Sequence, residues 1–78
     1  MQLTYSHHWK KKEKYRADIT EAMIEYCIQH AQRIRDKHWH DLLNAIAPVP
    51  PSRRMLKVVY QPEGKTIKVI TAYWVDEQ

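Results

Sequence analysis

The chain has 78 residues, a formal net charge of +4 and a single cysteine. This length makes one domain, residues 1–78, near the lower end of what a core without staples supports. One cysteine excludes an internal disulfide, no apolar run approaches the ~20 residues of a membrane span, and Met1-Gln2-Leu3-Thr4 does not open a signal peptide, so a soluble cytoplasmic protein is expected.

Leu3-Thr4-Tyr5-Ser6 reads as a first strand with Leu3 and Tyr5 on one side. Residues 8–16, HWKKKEKYR, contain no Gly or Pro and many strong helix formers, which predicts a short, partly exposed helix with Trp9 and Tyr15 as its apolar stripe. Residues 20–34 carry the clearest local pattern: Ile24, Cys27, Ile28, Ala31 and Ile34 recur at helical spacing. Thr20 caps this second helix, Ile19 and Ile24 staple across the cap, and Arg33 and Arg35 suit the negative end of its dipole. Cys27 belongs to its core stripe.

In residues 36–47, Leu42, Leu43, Ala45 and Ile46 fit a helix or a buried strand, and the short length favours the strand. Pro48-Val49-Pro50-Pro51-Ser52 continues neither and predicts an extended connection. Residues 53–75 form a hairpin around Pro62-Glu63-Gly64, where Pro presets the first turn position and the only glycine accepts a left-handed third position. Pairing Gln61 with Lys65 sets Val59 against Ile67, Lys57 against Val69, Met55 against Thr71 and Arg53 against Tyr73. Arg54, Leu56, Val58, Tyr60, Lys68, Ile70, Ala72 and Trp74 then share the other face. The expected fold class is α+β, two N-terminal helices packed on a small antiparallel sheet in the order β-α-α-β-β-β.

Charge is uneven along this order. Residues 1–16 hold five bases against one acid, residues 17–51 three against five, and residues 52–78 five against three. If the two basic ends meet, they make a positive surface suited to an anionic partner such as nucleic acid. His8, Lys12 and Arg16 stand four residues apart, so a helix over 8–16 places an imidazole, an ammonium and a guanidinium in one row, a combination that suits a phosphodiester. Arg53, Arg54, Lys57, Lys65 and Lys68 are interleaved with Tyr60, Tyr73 and Trp74, the mixture of rings and cations used to hold single-stranded RNA and equally a way to fill a small sheet.

The five histidines do not make a metal site, because the neighbours in His7-His8 point apart on a helix and no Cys or carboxylate cluster has ligand spacing around that pair or around His38-Trp39-His40. Trp39 offers a stacking face, but Leu42 and Leu43 beside it favour the core. One glycine rules out a Gly-rich phosphate loop, and no serine, cysteine or carboxylate pair is arranged as a nucleophile. An enzyme of this composition needs no protein nucleophile and no cofactor; a metal-independent endoribonuclease, in which the substrate's 2′-hydroxyl attacks phosphorus, fits.

Three segments together resemble a family of small prokaryotic domains related to the RelE/ParE toxins. Ser6-x-His8 followed by Lys12, Arg16 and Ile19-Thr20 is similar to that family's opening. Arg54-x-Leu56-Lys57-Val58-Val59-Tyr60 and Val69-Ile70-Thr71-Ala72-Tyr73-Trp74 are similar to its last two strands. Ala17-Asp18 stands where the family has one glycine, and Arg53 replaces a glycine often found before Arg54. The resemblance implies a toxin of a toxin-antitoxin pair that cuts RNA, ribosome-associated messenger included, and an antitoxin protein that covers its active surface. The residues that match the family are His8, Lys12, Arg16, Arg54, Lys57, Thr71 and Tyr73; all but Thr71 are the candidate catalytic set, with His8 as general acid or base, and Thr71 joins Arg53, Lys68 and Trp74 from the mixture of cations and rings as candidate RNA contacts. The alternative within the same fold is a non-enzymatic toxin of the gyrase-inhibiting kind, or a module that only binds RNA or a protein partner.

Overall fold

A computed structural model describes residues 2–37, 39 and 41–75. The element order is β1 (Gln2–Tyr5), α1 (His7–Lys12), α2 (Glu21–His30), β2 (Arg33–Arg35), β3 (Leu43–Val49), β4 (Arg54–Glu63) and β5 (Thr66–Trp74). The strands form one mixed sheet ordered β1-β5-β4-β3-β2, in which β1 runs parallel to β5 and the other pairs are antiparallel.

This corrects the expected fold class. Strand accounts for 46% of the described residues and helix for 22%, so the sheet is the body of the molecule, and the order is β-α-α-β-β-β-β rather than β-α-α-β-β-β. The extra strand is β2, which takes Ile34 out of the predicted second helix. That helix ends at His30, and Ile34 pairs with Asn44 instead. Thr20 does cap it, its hydroxyl accepting from the Met23 amide at 3.2 Å. The first helix is also shorter than expected: Glu13 closes it after Lys12, so Arg16 lies beyond its end.

Pro48 sits inside β3, contrary to the expected connection. It lies past the three residues of β3 that pair with β2, so β3 is an edge on that side and no ladder donor is missing there. Gly64, at φ 63°, occupies the first place of a two-residue loop closed by Glu63 and Thr66. The hairpin register therefore differs from the expected one by three residues near the loop. Past a bulge between Val59 and Tyr60 it differs by four, with Tyr60 opposite Val69 and Val59 opposite Thr71.

The bulge leaves Ile70 as the extra residue and reverses which residues of β5 face the core. Before it, Ile67 and Val69 pack inward; after it, Ala72 and Trp74 do. With Leu56, Val58 and Tyr60 of β4 and Ala45, Ala47 and Val49 of β3, they build one face of the sheet. Trp9, Ile19, Ile24 and Cys27 from the helical segment complete the same cluster, so both helices lie on that one face. Complete burial of side chains such as Leu56 or Val58 contributes roughly 1.5–3 kcal/mol each. None of the described helices is long and apolar enough to cross a membrane.

Ser6 ties these parts together. Its amide donates to the Val69 carbonyl at 2.8 Å and its hydroxyl to the Ile70 carbonyl at 2.7 Å, while the same oxygen caps α1 by accepting from the Trp9 amide at 3.1 Å. Cys27 is fully buried and donates to the Ala45 and Leu56 carbonyls, both at 3.4 Å. Burial pushes its thiol up to about 11 from 9.0, so it stays protonated in the folded chain. A raised folded-state pKa stabilises fully below the unfolded value and the benefit is lost as pH rises through the folded value. Urea unfolding should therefore show stability falling between pH 9 and 11, by an amount approaching 2–3 kcal/mol at ~1.4 kcal/mol per pH unit, and Cys27→Ala should flatten that part of the profile.

Candidate nucleic-acid interface

The sheet face away from the helices is built by alternate residues of four strands. Ile34, Asn44, Val59 and Thr71 form one cross-strand row, and Ile46, Lys57 and Tyr73 the next. Val59 is buried yet lies outside the helix-side cluster, as expected for the centre of a second face. No described helix covers this surface.

Arg16 reaches it from the helical side. β1 pairs with β5 only as far as Val69, which leaves later β5 carbonyls at a sheet edge. Ser6 takes the Ile70 carbonyl, and the Arg16 guanidinium takes the next one on that side, donating to the Ala72 carbonyl at 2.8 Å and to Thr71 Oγ1 at 3.3 Å. The anchored guanidinium lies 5.8 Å from the Tyr73 ring centroid, and Lys57 Nζ lies 5.6 Å from the same ring. Four of the residues implied by the resemblance, Arg16, Lys57, Thr71 and Tyr73, are thus brought together. The four-residue error in register is even, so it left Lys57, Thr71 and Tyr73 on a common face as expected.

The other candidates are elsewhere. Arg54 stacks on the Trp74 indole at 4.2 Å and pairs with Asp18 at 3.5 Å, while Trp74 Nε1 donates to the same Asp18 oxygen at 2.8 Å. Trp74 is only 8% exposed, and this trio closes the end of the core. Lys68 moves to the open face opposite Gln61, because the shift of three residues near the loop is odd. Arg53 lies in the turn before β4 at φ 63°, exposed and unpaired with Tyr73. Its left-handed backbone favours glycine there.

His8 and Lys12 are exposed on α1 and make no side-chain hydrogen bond, ion pair or ring contact among the described residues. With α1 ending at Lys12, the expected row of His8, Lys12 and Arg16 does not form on one helix. The shifted titrating groups move away from neutrality. Burial, followed by Glu21, Glu25 and Glu13, pushes Tyr5 up to about 12, and burial likewise raises Tyr60.

Two features escaped the sequence reading. Tyr15, expected to share an apolar stripe with Trp9, is 86% exposed while Trp9 is 1% exposed. It lines a groove of about 540 Å³ with His7, Lys10, Lys11, Lys12 and Lys14. Lysine and arginine on either side of Tyr15 were the available signal. The second is Asn44, the polar residue within Leu42-Leu43-Asn44-Ala45-Ile46-Ala47, which is 7% exposed. Its Oδ1 has no hydrogen-bond partner, in a setting where an unpaired buried polar group costs about 1–3 kcal/mol.

Trp39, expected in the core, is 63% exposed. It lies between β2 and β3, where its amide donates to Asp36 at 3.0 Å. The His38 and His40 beside it lie outside the described residues. Among the described residues no group of three or more His, Cys, Asp or Glu side chains could hold a metal ion.

No protein-family model matches the chain, and no curated protein or solved structure matches it either.

Because Asp18 serves both Trp74 and Arg54, Asp18→Ala should lower stability by about 1–2 kcal/mol in chemical denaturation, chiefly through the orphaned indole N–H.

Proposed function

We propose that the protein binds single-stranded RNA across the open face of its sheet. The observation that supports this most is the meeting of Arg16 and Lys57 on the half-buried Tyr73 ring, on a face that no described helix covers. A ring beside two cations offers a base a stacking surface and the adjoining phosphates a positive field, a combination indifferent to which base is stacked. The lysine-rich groove at Tyr15 adds cations to the same basic stretch of chain that Arg16 anchors to β5. The resemblance to RelE/ParE-type toxins favours the same class of target and an antitoxin as protein partner.

Cleavage draws less support from the geometry than binding does. In the nuclease reading His8 moves the protons and Lys12, Arg16 and Arg54 hold the phosphate. Yet His8 and Lys12 share no contact with the Tyr73 cluster, and Arg54 is held by Asp18 and Trp74. Binding is therefore the reading adopted.

Fluorescence anisotropy with a labelled single-stranded RNA decides it. Binding should weaken steeply with added salt, and Tyr73→Ala should reduce affinity about 5- to 100-fold, the loss of one stacked base. Lys57→Ala should lower the slope of log K against log salt by about 0.7. Wild-type protein that does not bind, or a Tyr73→Ala variant that binds equally well, sinks the proposal. RNA recovered cut by the wild type and intact with His8→Ala would establish the nuclease reading instead.

A further inference from the structure

β2 closes one end of the sheet, with β3 as its only strand neighbour among the described residues. All three of its residues are exposed. The register that sets Arg35 against Leu43 sets Asp36 against Leu42, and the Asp36 amide donates to the Leu42 carbonyl at 3.1 Å. Bonded and non-bonded pairs alternate along an antiparallel ladder, so Ile34 shares its bonds with Asn44, whereas Arg33 and Arg35 turn their N–H and C=O groups away from β3. No described residue bonds to those four groups.

The side chains select what can add to this edge. Arg33 and Arg35 lie opposite Ala45 and Leu43, on the side of the sheet that carries the core, and make no ion pair among the described residues. Ile34, between them, belongs to the open face, is 47% exposed, and lines a cleft of about 290 Å³ together with Ile46 and Lys57. A second copy of the chain is a poor occupant. Antiparallel pairing of two such edges sets Arg33 of one copy against Arg35 of the other, and a register shifted by two sets an arginine against its own counterpart. Like charges directly opposite one another destabilise a pair, and an acidic strand reverses the sign.

We infer that the β2 edge takes an extended acidic segment of a partner protein as a sixth, antiparallel strand. The segment's backbone bonds to Arg33 and Arg35, and its acidic side chains opposite them pair with the two guanidinium groups. An apolar residue between those acids packs on Ile34. The recognised pattern is thus acid, apolar, acid in an extended run. Arginine has two effects here, keeping like edges apart and attracting an unlike one. Tyr73 lies on β5, roughly 14 Å from β2 at the usual strand spacing, so the inference does not rest on the RNA-binding reading.

The probe is a capped peptide, Thr-Glu-Ile-Glu-Thr, titrated at low salt into the ¹⁵N-labelled protein. The Arg33 and Arg35 backbone amides should shift saturably at millimolar peptide and exchange more slowly with solvent. The same peptide N-methylated at both glutamates keeps its charge but loses the two donors that face the Arg33 and Arg35 carbonyls, and it should bind about tenfold more weakly or not at all. Arg33→Glu combined with Arg35→Glu should lose the acidic peptide and bind Thr-Lys-Ile-Lys-Thr in its place. If that double variant fails to fold, the two acidic peptides on the wild type decide alone. The inference is overturned if those amides show no saturable shift, or if the methylated peptide binds equally well, which leaves charge attraction without strand addition. It is also overturned if the same shifts appear on concentrating the protein without peptide, which makes a second copy the occupant. Shifts there with single-stranded RNA and none with peptide overturn it too, and make the edge part of a nucleic-acid surface.

Discussion

The extra residue in β5 is the constraint on which the rest of the structure depends. Without Ile70 bulged out, strand alternation would send either Val69 or the pair Ala72 and Trp74 away from the helices, and the core would lose one end. A bulge leaves ladder groups unpaired, and here the helical segment answers them. Ser6 donates its hydroxyl to the Ile70 carbonyl and starts α1 with the same oxygen, and Arg16 donates to the Ala72 carbonyl, which lies at the sheet edge beyond the end of β1. The start of the helical segment is thereby fixed on the sheet edge, and so is the first cation of the open face.

Two pairings of arginine with an aromatic ring show how similar parts acquire different roles. Arg54 on Trp74 is closed by a carboxylate, since Asp18 neutralises the guanidinium and satisfies the indole together. Its field is largely cancelled, and what remains is packing at the end of the core. Arg16 and Lys57 on Tyr73 make no ion pair with a carboxylate among the described residues, and Arg16 is held by a carbonyl and a hydroxyl instead. Neutral acceptors orient a cation without discharging it, so the positive potential stays available to a ligand.

The two faces of the sheet differ in the same sense. The helix side is apolar and its one thiol is kept protonated by burial. The other side mixes cations, a phenol and a buried amide at a position where a small domain gains most from an apolar residue. In a chain this short, with few residues to spare for its core, such a choice reduces stability where the open surface is shaped.

By itself the sequence determined the local elements whose signals lie within a few residues: the first strand, the Thr20 cap, the Cys27 stripe, and two β-rich runs around the only glycine. It also determined the uneven spread of charge and the presence of Arg16, Lys57, Thr71 and Tyr73 as candidates. Tertiary structure decided what those signals cannot contain. Whether Ile34 extends a helix or adds a strand depends on a partner strand being present at Asn44. The register depends on a bulge whose orphan carbonyl is satisfied by Ser6, 64 residues away in the chain. Lys57, Thr71 and Tyr73 kept their common face only because a three-residue shift at the loop and one at the bulge add to an even number. Lys68, before the bulge, met only the odd shift and changed sides. Burial of Asn44, exposure of Tyr15 and Trp39, and the division of the arginines between a closed and an open pairing all follow from long-range contacts, which local spacing does not encode.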